Sequence, residues 1–248
     1  LFYTLSGVKM KRGFMRCLWG GKDSFNWIDP KIKGSKTNKE ILQTLNNKYV
    51  EPFITYVWGQ ENYDFLINLG CDCKLVWDES TQWKNKDHHF RHKLESFRIA
   101  MEDDGYDEIV SLDWDTIPVR PIDHEFWNIL NQKESIQVCL YRLNHTQCQW
   151  RKNGPAKRVR VNSNFTYFRD KSFPSQIIDV WNNFPDEEAY RWSSEIAMSY
   201  FIDELNGGWI GNEEFHNRYE PMVADLKRFS LFNTKREHPL YKRYFLHI

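Results

Sequence analysis

The chain lacks an excess of charge of either sign: 34 Lys and Arg stand against 34 Asp and Glu among 248 residues. That excludes the global field that gathers nucleic acid or anionic membrane, so a charged partner has to be recognised locally. Long apolar runs are missing as well. No stretch approaches the ~20 residues needed to cross a bilayer, and the opening LFYTLSGV is too short for a signal peptide's apolar region with its cleavage site. The cytoplasm is therefore the expected compartment. Cysteine is sparse and odd in number, at Cys17, Cys71, Cys73, Cys139 and Cys148. Only Cys71 and Cys73 are neighbours, and their C-x-C spacing is not that of a zinc knuckle, so free thiols are expected. Repeats, low-complexity tracts and linkers are absent too. The reading is one compact domain over 10–248, beginning at the MKRGFMRCLWG stretch, with 1–9 as an N-terminal extension.

What the sequence does hold is aromatic side chains, 11 Trp, 12 Tyr and 17 Phe, which fill a core and also make flat walls on which sugars and bases stack. Short β-rich runs alternate with helical patterns. FMRCLW (14–19), FITYVW (53–58), CKLVW (73–77) and EIVSL (108–112) read as strands, with helical patterns at 38–49, 62–70 and 88–104 between them. That alternation calls for a parallel sheet with covering helices. The helix over 88–104 is the clearest, because Phe90, Leu94, Phe97 and Met101 fall on one stripe and Gly105 follows. Beyond residue 120 the pattern loosens: strands are expected at 135–141, 164–169 and in the last segment, with helices at 175–184 and 193–205. GGWIG (207–211) breaks the chain.

The fourth apolar run ends in SLDWDT, which sets Asp113 and Asp115 one residue apart where a strand should leave the sheet. In open α/β sheets ligands bind outside the carboxyl ends of the strands. Two carboxylates that close repel unless a cation lies between them or one takes a proton. A hard divalent ion, Mg²⁺ or Mn²⁺, resolves the conflict and carries phosphate oxygens in its remaining positions. The pair thus predicts a metal holding a phosphorylated ligand, although an aspartate after a strand is also a common turn former.

The stretch RHKLESFRIAMEDDGYDEIVSLDWDTIPVRPID (91–123) resembles the nucleotide-sugar-dependent glycosyltransferases of the GT-A fold. In those families a K-L-containing helix leads into an apolar strand that ends in D-x-D, followed by a T-hydrophobic-hydrophobic tail. The resemblance implies an α/β fold with a mixed, mainly parallel sheet flanked by helices, a nucleotide-binding half over 10–120 and an acceptor side over 121–248. It implies metal ligation by Asp113 and Asp115, with Mn²⁺ or Mg²⁺ as cofactor and a nucleoside diphosphate sugar, UDP-linked by family base rate, as donor. His247 in YFLHI matches the C-terminal histidine that often supplies the third ligand; His216 and His238 are weaker substitutes. VNSNFTYFRDKS (161–172) is similar to the segment lining the donor sugar, which brings in Asn162 and Asn164, the latter where a glycine is usual. Trp114 would border the sugar, and Lys93 and Arg91 would reach a phosphate. Glu195 and Asp203 are the carboxylates available as a general base for an inverting reaction; a retaining one needs none.

RKNGPAKRVR (151–160) gathers Arg151, Lys152, Lys157, Arg158 and Arg160 in one Gly-Pro segment. It reads as a solvated loop or as the contact for an anionic acceptor, a glycan or a hydroxymethylated DNA base. Arg142, Trp150, Arg158 and Arg160 would then sit near that acceptor. Two rivals stay open. D-x-D-x-T after an apolar run also fits haloacid-dehalogenase-like phosphatases, with Asp113 as nucleophile and Asp115 as acid/base, and a non-catalytic module could bind a nucleotide sugar without turning it over. His88 and His92 share a helical spacing suited to zinc but lack a third ligand.

Overall fold

A computed structural model describes residues 2–3, 9–18, 53–68, 70–77, 89–113, 116–118, 121–132, 135–140, 161–183, 194–195, 197–198, 223–225 and 245–247. The strands are β1 (Phe2–Tyr3), β2 (Lys9–Met10), β3 (Arg12–Leu18), β4 (Phe53–Trp58), β5 (Cys73–Trp77) and β6 (Glu108–Leu112). They continue with β7 (Thr116–Pro118), β8 (Ile136–Leu140), β9 (Val161–Phe168), β10 (Val223–Asp225) and β11 (Phe245–His247). The helices are α1 (Gln60–Asn68), α2 (His89–Arg98) with a π-helical turn at Ile99–Asp103, α3 (His124–Asn131) and α4 (Phe173–Asn182).

The main sheet has six strands in the order β5-β4-β3-β6-β9-β8. The first four are mutually parallel, and β9 runs against both β6 and β8. The result is a mixed, mainly parallel α/β sheet: the alternating pattern calls for the parallel strands, and β9 adds an antiparallel one. The bounds of β4, β5 and β6 coincide with the apolar runs at 53–58, 73–77 and 108–112; β4 and β6 are covered strands and read as continuous hydrophobic runs, whereas β5 is an edge strand with half-buried side chains. Every residue of β6 is buried.

Leu94, Phe97 and Met101 of the expected stripe are buried, so the periodicity located the packed face of α2. Phe97 meets Phe168 of β9 at 4.8 Å between ring centroids and Phe173 of α4 at 6.5 Å, and this aromatic contact seats both helices on one face of the sheet. Phe126 and Trp127 of α3 pack on Phe14 of β3 at 5.7 and 5.3 Å. Asp123 caps α3, its side chain accepting from the Phe126 N–H at 3.0 Å.

Several expectations shift. The helix foreseen over 175–184 spans Phe173–Asn182, with Pro174 in its first turn, where a missing N–H does no harm. The strand foreseen at 164–169 begins three residues earlier, at Val161. Residues 2–3 of the stretch 1–9, read as an extension, pair as an antiparallel ribbon with 9–10, across the expected boundary at Met10. β7, α3 and β10 were not expected. The helix expected over 38–49 lies outside the described residues, and of 193–205 only 194–195 and 197–198 are described, all helical.

Two glycines close elements at positive φ. Gly70, at φ 74°, ends α1 with its own N–H on the Ile67 carbonyl and the Cys71 N–H on that of Leu66, a Schellman closure. Gly105, at φ 68°, turns the chain from the π-helical turn into β6, and a Cβ there would meet nothing within 4 Å. Gly105→Ala is therefore expected to cost about 1 kcal/mol from backbone conformation alone, and Gly105→Asn less. Urea unfolding would show it, and a larger loss would mean a steric contact this geometry does not contain.

Candidate functional site at the carboxyl end of β6

After β3 the chain builds outward through β4 to β5, then returns to lay β6 on the other side of β3. The reversal makes the β3–β6 boundary the switch point, and the crevice outside the carboxyl ends of these strands is where such sheets bind ligands. Asp113 is the first residue past the end of β6, so the structure places it at that rim.

Lys93 reaches the rim from α2. Its side chain is 5 % exposed and forms an ion pair with Asp113, whose side chain is 33 % exposed. The ammonium also donates to the Ser163 carbonyl at 2.7 Å. The Ser163 N–H and hydroxyl donate to Oε1 of Glu195 at 3.0 and 3.4 Å. Burial pushes the Glu195 carboxyl up to about 7; the Ser163 N–H opposes the rise, Asp113 adds to it and Lys93 opposes it. Beside this group the Ser96 hydroxyl donates to the His92 carbonyl at 2.7 Å and approaches Cys17 Sγ at 3.1 Å. Trp58 Nε1 donates to the same hydroxyl at 3.3 Å, and His92 stacks on Trp58 at 4.3 Å. Burial raises the Cys17 thiol to about 12, so it stays protonated and inert near neutrality. Cys17, Cys71 and Cys73 are free thiols.

The strand order thus brings Lys93, Asp113 and Glu195 together from three of the expected segments. Arg91 is engaged elsewhere: its guanidinium bonds Glu95 at 3.0 and 3.2 Å and also Asn182 of α4. Asn162 and Asn164 lie in β9 on either side of Ser163. Trp114, Asp115, Asp203, Arg142, Trp150, Arg158 and Arg160 lie outside the described residues, as do His88, His216 and His238.

A second, three-stranded sheet has the order β10-β11-β7, and its strand β7 starts at Thr116, hydrogen-bonded to Asp113. Its register sets His247 opposite Thr116 and Asp225 opposite His247, so these three share one rung directly after the D-x-D. The backbone of His247 therefore lies opposite Thr116, the first described residue after Asp113. Asp225 was not singled out in the sequence, since a lone aspartate in a three-residue strand has no pattern around it. The Thr116 N–H donates to the Asp113 carbonyl at 3.0 Å, which holds the turn between β6 and β7. The fully buried Arg16 guanidinium of β3 donates to the Thr116 carbonyl and lies 5.2 Å from the Phe53 ring centroid.

Does the rim suit a hard cation? Oxygen donors are what Mg²⁺ and Mn²⁺ require. Lys93 engages Oδ1 of Asp113, whose side chain is 33 % exposed. The buried Thr116 hydroxyl has no hydrogen-bond partner. Asp113 and Thr116 are oxygen donors of the kind such an ion takes, and Lys93 already meets part of the Asp113 charge. Among the described residues no three His, Cys, Asp or Glu side chains gather as a metal-binding group. No helix among them is long and apolar enough to cross a membrane. No protein-family model matches the chain, and no curated protein matches it in sequence.

Proposed function

We propose that the chain is a metal-dependent glycosyltransferase that moves a sugar from a nucleoside diphosphate sugar, UDP-linked by base rate, to a hydroxyl acceptor. The observation that supports it is the Lys93–Asp113 pair at the switch point of a mainly parallel sheet, with the D-x-D turn fixed by the Thr116 N–H. Asp113 and Asp115 would hold Mn²⁺ or Mg²⁺, with His247 as the third protein ligand. Such an ion, when bound, stabilises the charge growing on a leaving diphosphate. Lys93 fixes the Asp113 carboxylate in place, and its own charge adds to the positive potential at the rim. Trp114, Asn162 and Asn164 border the sugar in this reading. Arg142, Trp150, Arg158 and Arg160 take an anionic acceptor, a glycan or a hydroxymethylated base in DNA, and the protein works in the cytoplasm.

The phosphatase alternative is weaker, because its motif ends the first strand of its domain. Here the aspartates follow β6, laid down only after β3, β4 and β5 of the same sheet.

Incubation with Mn²⁺ and a panel of nucleotide sugars, read by thermal unfolding and nucleotide release, tests the assignment. A donor at about 100 times its Kd should add about 2.7 kcal/mol of stability, and Asp115→Ala should lose that gain. Stabilisation by no nucleotide sugar, or equal stabilisation of Asp115→Ala, removes the proposal. For the acceptor, the double substitution Arg158→Ala, Arg160→Ala should weaken transfer to DNA by about tenfold or more and flatten its salt dependence. Unchanged transfer to every anionic acceptor would retire the basic-segment reading.

A further inference from the structure

Ser163 occupies a break in β9. Leu112 of β6 pairs with Phe165, the last rung on that side. On the other side Val138 of β8 pairs with Thr166, yet the next residue, Cys139, pairs with Asn162. The register jump is a bulge that leaves Ser163 and Asn164 in neither ladder among the described pairings. Bulges re-aim groups in this way beside functional sites. A buried peptide released from its ladder has to find other partners or bear a desolvation cost. Ser163 finds two: its N–H goes to Glu195 at 3.0 Å and its C=O to Lys93 at 2.7 Å. Lys93 ends on Asp113. One path therefore runs from Glu195 through the backbone of a single residue, Ser163, and a buried ammonium to the first carboxylate of the D-x-D.

We infer that Glu195 is a positioning residue and not the general base: it clamps the bulged peptide of Ser163, which seats Lys93, which in turn presents Asp113. Three features support this. The residue is 5 % exposed, whereas a base must come within hydrogen-bond reach of the acceptor hydroxyl. Oε1 already accepts both donors of Ser163. The buried Lys93 ammonium has two acceptors among the described residues, Asp113 and the Ser163 carbonyl, so its seat depends on that carbonyl staying in place. What Asp113 is presented to rests on the glycosyltransferase reading; the clamp itself does not.

Glu195→Gln keeps an acceptor oxygen for Ser163 but cannot take a proton, whereas Glu195→Ala removes the acceptor. Three measurements separate the roles: transfer from UDP-sugar with Mn²⁺, UDP affinity in Mn²⁺, and the rate at which an amine-reactive reagent acylates Lys93, read by mass spectrometry. Glu195→Gln should keep transfer within about threefold of the parent, since loss of a general base would cost about 10²–10⁴. Glu195→Ala should acylate at Lys93 about tenfold faster and bind UDP about tenfold more weakly, on the order of one lost hydrogen bond to a charged group. A collapse of transfer in Glu195→Gln with Lys93 still protected would make Glu195 the base and overturn the inference. Equal acylation of Glu195→Ala and the parent would also overturn it, whatever the protein's activity. If no nucleotide sugar binds the parent but Lys93 follows the expected order, the functional reading fails and the clamp stands. Should Glu195→Ala not fold, Glu195→Gln alone still decides between base and clamp, and Ser163→Ala, which keeps the N–H, is expected to leave Lys93 protected.

Discussion

Asparagine at position 113 is expected to destabilise the fold by about 3–5 kcal/mol, the range for leaving one partner of a buried ion pair uncompensated. Lys93 would be the stranded partner, since its side chain is 5 % exposed and, although the asparagine oxygen and the Ser163 carbonyl can still accept from it, its charge would lose the Asp113 counter-charge. The opposite substitution is milder. In Lys93→Met the remaining charge belongs to Asp113, which is 33 % exposed and can be hydrated. Combining the two should recover most of the loss, because methionine carries the lysine stem's apolar bulk without its charge. Binding of a nucleotide sugar should not return with it. Urea unfolding of the three variants checks the order, and Lys93→Met costing more than Asp113→Asn would mean that the buried ammonium is not what Asp113 compensates.

The second large effect is on pH. Glu195 titrates near 7 in the fold, raised first by burial, against an ordinary value of about 4.3 in an unfolded chain. Between these values the folded state binds more protons than the unfolded one, so stability falls as pH rises. The favourable contribution of the protonated form is complete below about pH 4 and gone above about pH 7, up to about 4 kcal/mol in all. Glu195→Gln should flatten this slope. Asp104 and Asp107 act in the opposite sense at lower pH. Burial pushes each up, but Lys74 and Tyr56 donate to Asp104, and Lys11 and Lys171 to Asp107, leaving both below the usual carboxylate range. Their contribution is lost as pH falls below the ordinary aspartate range. Unfolding midpoints from pH 4.5 to 8 for parent and variant test the assignment, and parallel curves would refute it.

Much of the main sheet can be read in the sequence, because a covered strand announces itself as an apolar run. β4 and β6 have the bounds those runs suggest, and Gly105 marks where the helical segment before β6 must turn. Three-residue strands such as β7 and β10 are too short to show a period of two. α3 had a readable start in Asp123, whose capping bond fixes it, but its eight residues offer barely two turns of pattern. The antiparallel course of β9 is set by its neighbours and leaves no mark in its own residues.

At the site, the position of Asp113 follows from the end of an apolar run, so it was legible. Its partner was not, since nothing local joins Lys93 to a residue a whole π-helical turn and strand away. The charge of Asp113 is met at least in part by the protein's own Lys93, which no local pattern in the sequence announces. The link from Glu195 to Ser163 was hidden for a different reason. It exists only because the β8–β9 register jumps, and a register jump is a property of two strands together.

The all-buried strand β6 has a consequence during synthesis. One flank can pair with β3 as soon as it leaves the ribosome, but the other waits for β9, which ends at Phe168. At typical elongation speeds the intervening stretch takes roughly 3–11 s to emerge. Throughout that interval a nascent chain shows an uncapped apolar edge, the surface most apt to recruit a second chain. Stalling between Leu112 and Val161 should therefore yield aggregates, whereas release after Phe168 should not.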